Sequence, residues 1–354
     1  MSLWVDKYRP TESSKLDYHT NEAASLRNLA ASDDFPHLLV FGPPGAGKQT
    51  RITCLLADIF GPGVHRMRFH TISVTTPSNK KIDVTTVASA YHIEVNPSDA
   101  GIYDRLIVME ALKTIAQFGP PDDGQTRRPF KVVVLMEVDR LTKDAQQALR
   151  RTMEKYSATC RLILCCNSIS KVIPAIRSRC LNIRVAAPTE DEILRIIQKV
   201  CKEEKVNIPN ELVKRIVQQS NRNLRRALLT TEATKIKQYP FQSGAAPVLP
   251  DWEVYLTKTA DLIVKKQDTA QLMEIRGRLY ELLVHCIPPT TILSGLAKEL
   301  IKNCDNVLKC EVIHLAAEYE HRMQLGQKAV YHLEAFVAKF MAVYLRFLDD
   351  QMQV

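Results

Sequence analysis

Between residues 36 and 186 the chain carries short, nearly unbroken apolar runs, Leu38–Phe41, 132–136 and 162–166, separated by longer stretches of mixed character. Runs of this kind predict strands buried on both faces of a parallel sheet. Segments 67–74, 91–95 and 181–185 predict further strands, and the spacing over 105–118 and 143–156 predicts helices between them. The alternation predicts a doubly wound α/β domain, with its ligands at the carboxyl ends of the strands.

Past Pro188 the pattern becomes helical throughout. Thr189-Glu190-Asp191-Glu192 has the form of a capping box, and Ile193, Ile196, Ile197 and Val200 follow at helical spacing. Two more helices are predicted over 209–219 and 222–237. The twelve residues 239–250 hold three prolines and a glycine, the composition of a linker. Residues 251–349 predict four or five helices, including a long one from about Lys328 with Tyr331, Ala335, Ala338, Phe340 and Val343 as packing positions. The expected division is an α/β domain at 1–187, a small helical domain at 188–238, the linker at 239–250 and a helical domain at 251–354. The last carries no obvious chemistry, which suits assembly.

Where the first apolar run ends, chemistry begins. Phe41-Gly42-Pro43-Pro44-Gly45-Ala46-Gly47-Lys48-Gln49-Thr50 has the spacing of a phosphate-binding loop, but Gln49 stands where the pattern asks for Ser or Thr. A strand precedes the loop, and a helix over 50–60 follows it, stopped by Gly61 and Pro62. The glycines let backbone N–H groups turn inward, the helix N-terminus favours an anion, and Lys48 reaches the outer phosphates as a point charge. The missing hydroxyl normally holds the magnesium ion of a bound nucleoside triphosphate. The segment therefore predicts a nucleotide site with impaired hydrolysis.

The second half of such a site needs acids at the end of a neighbouring strand. Glu137 stands where a water-activating carboxylate belongs, but the position before it is Met136, whose thioether does not serve a hard cation. Thr50 does not replace position 49, because one helical residue turns a side chain by roughly 100°. Asn167, after the next strand, is a candidate contact to a γ-phosphate or attacking water. Arg179, in Ser178-Arg179-Cys180, is a candidate arginine finger, and Arg225, in Asn223-Leu224-Arg225-Arg226-Ala227, a candidate contact in cis. Each has a plainer reading as a strand-end acid, a turn former or a solvated basic face.

Composition narrows the classes. The net charge of +9 is compatible with a polyanionic partner such as DNA. Nine scattered cysteines without a C-x-x-C spacing suggest reduced thiols, with neither a metal site nor a redox pair. No apolar run is long enough for a bilayer, and Asp6, Lys7 and Arg9 at the start do not suit a secretory signal.

Several motifs stand in a familiar order. Trp4-Val5-Asp6-Lys7-Tyr8-Arg9-Pro10, the phosphate loop, the degenerate acidic strand, Leu149-Arg150-Arg151-Thr152-Met153-Glu154, Asn167, Ser178-Arg179-Cys180 and Leu224-Arg225-Arg226-Ala227 resemble the small subunits of clamp loaders, the replication factor C family. The likeness is densest over the first 230 residues and is to members with a non-consensus nucleotide site.

The resemblance implies an AAA+ module of α/β and lid domains followed by a helical collar. It implies a nuclear heteropentamer with one large and three other small subunits. That assembly uses ATP to open a sliding clamp of the proliferating cell nuclear antigen type and load it on primer-template DNA. It implies that Val5, Tyr8, Arg9 and Pro10 pack near the adenine, and that Gly42, Pro43, Pro44, Gly45, Ala46, Gly47, Lys48, Gln49 and Thr50 cradle phosphates. Asn167 and Arg225 act as sensors, and Arg179 serves a neighbour in trans. With Gln49 and Met136 in place, the expected ligand is ATP or, tightly held, ADP, with magnesium weak or absent.

By the same analogy, Ser98 to Gly101 and the helix after it track the template strand. Arg105, Lys80, Lys81 and Lys143 are the phosphate-contacting candidates, and the segment 111–118 is the clamp-facing one. The alternatives are a hydrolysing AAA+ subunit of a related replication or repair complex, and a small-molecule P-loop kinase. The kinase reading leaves the arginine loop, the N-terminal signature and the helical tail unused.

Overall fold

A computed structural model of the chain describes residues 2–32, 35–75, 81–117, 130–157, 159–241 and 244–352. It divides into two units, Met1–Val248 and Leu249–Val354. The first unit holds seven strands: β1 Leu38–Phe41, β2 Arg68–Thr75, β3 Lys81–Ala88, β4 His92–Val95, β5 Lys131–Leu135, β6 Cys160–Cys166 and β7 Leu181–Arg184. Its helices are α1 Trp4–Lys7, α2 Thr20–Ala31, α3 Lys48–Phe60, α4 Asp104–Gln117, α5 Lys143–Lys155, α6 Pro174–Arg177, α7 Glu190–Glu203, α8 Asn210–Gln219 and α9 Leu224–Gln238.

The strands form one sheet in the order β2-β3-β4-β5-β6-β1-β7. From β4 to β7 every pairing is parallel. Side chains alternate across the pleat, so each strand feeds two cores. Leu38, Val40, Val132, Val134, Ile163 and Cys165 pack with Ile52, Leu55 and Leu56 of α3 on one face. Leu39, Val133, Leu135, Leu162, Leu164 and Cys166 pack with Ile107 of α4 and Leu149 of α5 on the other.

The sheet is not parallel throughout. β2 and β3 run antiparallel to their neighbours, adding an antiparallel hairpin to the expected parallel sheet. Only five residues separate β2 from β3, enough for a hairpin and far too few for a crossover. β3 has no counterpart among the expected strands. Its sequence alternates polar and apolar residues and buries only Val84 and Thr86, as suits a strand with one dry face.

The helical module after β7 opens with the expected capping box. Thr189 N–H donates to Glu192 Oε2 at 2.7 Å, and Thr189 Oγ1 accepts from Glu192 N–H at 3.3 Å. Thr189→Ala is expected to cost about 1 kcal/mol, read as a lower urea midpoint at unchanged slope. α9 starts at Leu224 rather than 222, because Asn221 and Arg222 take positive φ of 49° and 62°. Asn223 then caps the helix, its Oδ1 accepting from Arg226 N–H at 3.1 Å.

The core of this module is built from Ile193, Ile197, Val213, Ile216 and Ala227, and it takes in Trp4 and Tyr18 from the N-terminal segment. α1 is thereby tied to α9, with Trp4 N–H donating to Glu232 Oε2 at 3.0 Å. Phe241 and Ala245 of the expected linker pack on the same core, and Val248 N–H donates to Thr234 Oγ1 at 3.2 Å.

The second unit is all helix: α10 Asp251–Lys265, α11 Thr269–Val284, α12 Pro289–Lys302, α13 Asn306–Leu325 and α14 Ala329–Met352. Leu333, Phe336, Val337, Phe340 and Val343 put α14 into its core. Tyr331 is 60% exposed, against the expectation that it packs, and Ala335 and Ala338 are half-buried. The stripe is set by Leu333, Phe336 and Val337, and Tyr331 falls outside it. Among the described residues no helix is long and apolar enough to cross a membrane.

Candidate nucleotide site

The loop between β1 and α3 is held by three walls. A Cβ on Gly42 would sit 1.9 Å from Val185 O, at the end of β7. A Cβ on Gly45 would sit 1.8 Å from Asn223 Oδ1, and one on Gly47 2.3 Å from the Tyr18 hydroxyl. Gly45 and Gly47 also take φ of 74° and 78°, which L side chains rarely adopt. Tyr18 OH donates to Ala46 O at 2.9 Å. Arg51 of α3 donates to Tyr18 O at 2.7 Å and lies over its ring. The helical module, the N-terminal segment and the sheet thus fix one loop between them.

Lys48 is buried at the base of this loop. Its Nζ donates to Gly42 O at 2.8 Å, Pro43 O at 2.9 Å and Asn167 Oδ1 at 2.9 Å, which uses all three ammonium protons. Burial lowers its pKa from the ordinary lysine value. The loop lysine and the residue after β6 are therefore joined directly. Asn167 N–H donates in turn to Asp139 Oδ1 at 3.4 Å.

Beside the loop opens a cavity of about 430 Å³, a volume in the range of small-ligand sites. Val5, Tyr8, Arg9 and Pro10 form one side, Gly45, Gly47 and Thr50 the floor, and Leu224, Arg225 and Leu228 the other side. Tyr8 is oriented by its hydroxyl, which donates to Glu204 Oε1 at 2.7 Å, where Lys7 Nζ also binds at 2.6 Å. Pro43 and Pro44 lie exposed on the loop, while Gly42 and Ala46 are buried beneath it.

The expected metal positions are differently occupied. Gln49 Nε2 donates to Glu94 Oε2 at 3.3 Å. Glu94 and His92 project from β4 toward α3, 8% and 1% exposed. Glu94 Oε1 and His92 Nε2 are buried without a hydrogen-bond partner, 3.8 Å apart. Burial raises the Glu94 pKa and pushes His92 down to about 4, so the imidazole stays neutral beside the carboxyl group. Met136 packs half-buried against the α3-side core. Glu137 takes φ of 51°, and its Oε2 accepts from Ser98 Oγ at 3.2 Å and pairs with Arg140 at 3.0 Å.

Sequence reading did not find Glu94, Tyr18, Asn223 or Arg51. A cap residue ahead of a helix was legible for Asn223. The partners of Gln49 and Ala46 are set by tertiary packing alone.

Arg179 lies elsewhere. β1 and β7 are parallel, with Leu38 opposite Leu181 and Phe41 opposite Arg184. The phosphate loop follows Phe41, whereas Arg179 precedes Leu181, so the two sit at opposite ends of neighbouring strands. Four residues of strand separate them by about 13 Å. Arg179 Nε donates to Glu154 Oε1 at 2.9 Å, and Nη1 to Ala175 O at 2.9 Å, on an exposed surface.

The cationic candidates divide. Asp104 is buried, accepting from Thr142 N–H at 2.7 Å, Thr142 Oγ1 at 3.0 Å and Arg105 N–H at 2.6 Å. These bonds tie the start of α4 to the start of α5 and bring Arg105 near Lys143. Arg105 also lines a groove with Asp144, Gln147, Arg151 and Lys155. Lys81 opens β3, opposite Thr75 in the hairpin. Lys80 and Phe118 lie outside the described residues, as do the side chains of Ala111, Leu112, Thr114, Ile115, Ala116 and Gln117. Among the described residues no group of three or more His, Cys, Asp or Glu could hold a metal ion.

Comparison with known proteins agrees along the whole chain. Residues 252–348 match the family described as replication factor C subunit 3, C-terminal domain. Residues 195–236 match the RCF1/5-like AAA+ ATPase lid domain, and residues 18–189 match the family described as DNA polymerase III, delta subunit. The human protein named replication factor C subunit 3 is 58% identical over 353 residues, covering 100% of this chain and 99% of its own. A Dictyostelium discoideum protein named probable replication factor C subunit 3 is 50% identical, covering 98% of this chain and 99% of its own. Rice replication factor C subunit 5 is likewise 50% identical, covering 98% of each. A solved RuvB of Thermotoga maritima shares the fold at a TM-score of 0.50 and 14% identity, covering 83% of this chain and 90% of its own. With such identity over its full length, the chain belongs to the replication factor C family, among the small subunits named subunit 3 or subunit 5.

Proposed function

We propose that this small subunit works within a heteropentameric clamp loader as a holder of nucleotide and a donor of Arg179 to a neighbour's ATP site. The observation that carries the reading is the split between its two sites. Its own loop has the cradle, Lys48 and a cavity walled by Tyr8, Pro10 and Arg225, but Gln49 and Met136 stand where magnesium is normally served. Arg179 sits exposed at the opposite end of the strands, too far to serve its own phosphates, which supports a role toward another chain's.

The ligand proposed is ATP or ADP, with ADP the one retained. The second unit would join collars of one large and three other small subunits. The exposed cations Arg105 and Lys143, with Lys81 and Lys80, would meet primer-template phosphates in a salt-sensitive way. The clamp would be of the proliferating cell nuclear antigen type, and the complex nuclear.

Co-expression with the four other subunits tests this. A stable five-part complex is expected, with DNA- and clamp-stimulated ATPase that disappears when this chain is left out. The isolated chain is expected to show only background turnover with magnesium. Robust turnover by the isolated chain would favour the hydrolysing alternative instead.

A further inference from the structure

A P-loop of the ordinary kind holds its nucleotide with magnesium, between a hydroxyl and a strand-end carboxylate. The donor set of this chain does not fit that ion. Gln49 turns its amide nitrogen to Glu94, Met136 offers a soft thioether, and Glu137 is committed to Ser98 and Arg140. The carboxyl group that meets position 49 is Glu94, and one of its oxygens already accepts from Gln49.

We propose that the Gln49–Glu94 hydrogen bond takes the place of the divalent cation, making nucleotide retention by this loop independent of magnesium. Gln49 and Glu94 are positioning residues. Glu94, fixed on β4 and buried to 8% exposure, anchors the first turn of α3 through the Gln49 amide. That turn supplies the backbone N–H groups that face a phosphate. An amide nitrogen carries two N–H donors, and the bond to Glu94 uses one. The second is a neutral donor for a phosphate oxygen, where the usual loop uses a cation. A neutral donor compensates less charge than a divalent ion, which favours a nucleoside diphosphate over a triphosphate. The neighbouring imidazole of His92 is neutral, and its unpartnered Nε2 faces the unpartnered Glu94 oxygen at 3.8 Å, so the pair adds no positive charge.

This inference rests on the proposed nucleotide-holding role, and one titration separates the two. The full chain is titrated with a fluorescent ADP analogue in excess magnesium and in excess EDTA. Affinities within about twofold of each other are expected. In the Gln49→Thr, Met136→Asp double variant, affinity is expected to become about tenfold weaker in EDTA than in magnesium.

In EDTA, Glu94→Leu is expected to weaken binding about tenfold, and Glu94→Gln, which keeps an acceptor for Gln49, by about twofold or less. A purely structural role for Glu94 would lower the melting midpoint without separating Leu from Gln in affinity, and that result would overturn the proposal. So would wild-type binding that requires magnesium, a comparison that needs no variant. Absence of binding in both buffers would overturn the nucleotide-holding role and this inference together.

Discussion

Arg179→Ala in this chain alone is expected to slow hydrolysis at the neighbouring ATP site it is proposed to complete by about 10³-fold, with assembly and bound nucleotide unchanged. The reasoning is topological before it is chemical. Parallel pairing of β1 with β7 puts the loop and the arginine at opposite strand ends, and no side-chain rotamer closes that distance. Its own loop therefore loses nothing when Arg179 is cut back. On the proposed reading, the variant removes a planar, permanently charged donor for a transferring phosphoryl group of a neighbour. Arg179 is held ready by Glu154, which it meets through Nε at 2.9 Å and Nη2 at 2.8 Å. That pair is exposed and so contributes little to stability, which is why the fold should not respond to its removal. The measurement is DNA- and clamp-stimulated ATPase of the reconstituted complex, alongside its nucleotide content. An unchanged rate at every site would remove the trans-acting role.

Much of the site could be read from the chain because its parts are local. Gly42, Gly47 and Lys48 have fixed spacing, and the buried strands before them leave continuous apolar runs. The capping box at Thr189 was legible for the same reason, since both partners lie within one turn. The hairpin of β2 and β3 was harder to read. Its strands are mostly exposed, and β3 shows only the weak alternation of a one-faced strand. Arg225 lines the cavity because Asn221 and Arg222 take left-handed backbone and shift the start of α9, a choice the helical periodicity does not encode. Glu94 was invisible because its partner lies 45 residues away, on a helix that meets β4 only through the folded sheet. Tyr331 has the helical spacing of a core aromatic, but Leu333, Phe336 and Val337 take that role and leave it exposed.

Lys48→Ala is the change expected to empty the chain's own site, with ADP affinity falling about 100-fold or more. Lys48 is the buried cation of the loop; a phosphate would take over one of its three N–H donors, and a charge-assisted bond of that kind is worth about 1.5–3 kcal/mol. It has a second role that sharpens the expectation. Its three bonds gather Gly42 O, Pro43 O and Asn167 Oδ1 around one ammonium, so the loop and the end of β6 share a single anchor. Truncation leaves those acceptors without their donor as well as removing the charge. Lys48→Arg should not rescue binding, because a planar guanidinium cannot point at three converging acceptors as an ammonium does. Asn167→Ala removes only one of the three bonds and keeps the charge, so its effect should stay within about tenfold. The core of β1, β5 and β6 does not depend on Lys48, so far-ultraviolet circular dichroism should be unchanged in all three variants. Nucleotide retention by Lys48→Ala at wild-type affinity would mean that the backbone cradle and the wall of Tyr8, Pro10 and Arg225 hold the ligand unaided.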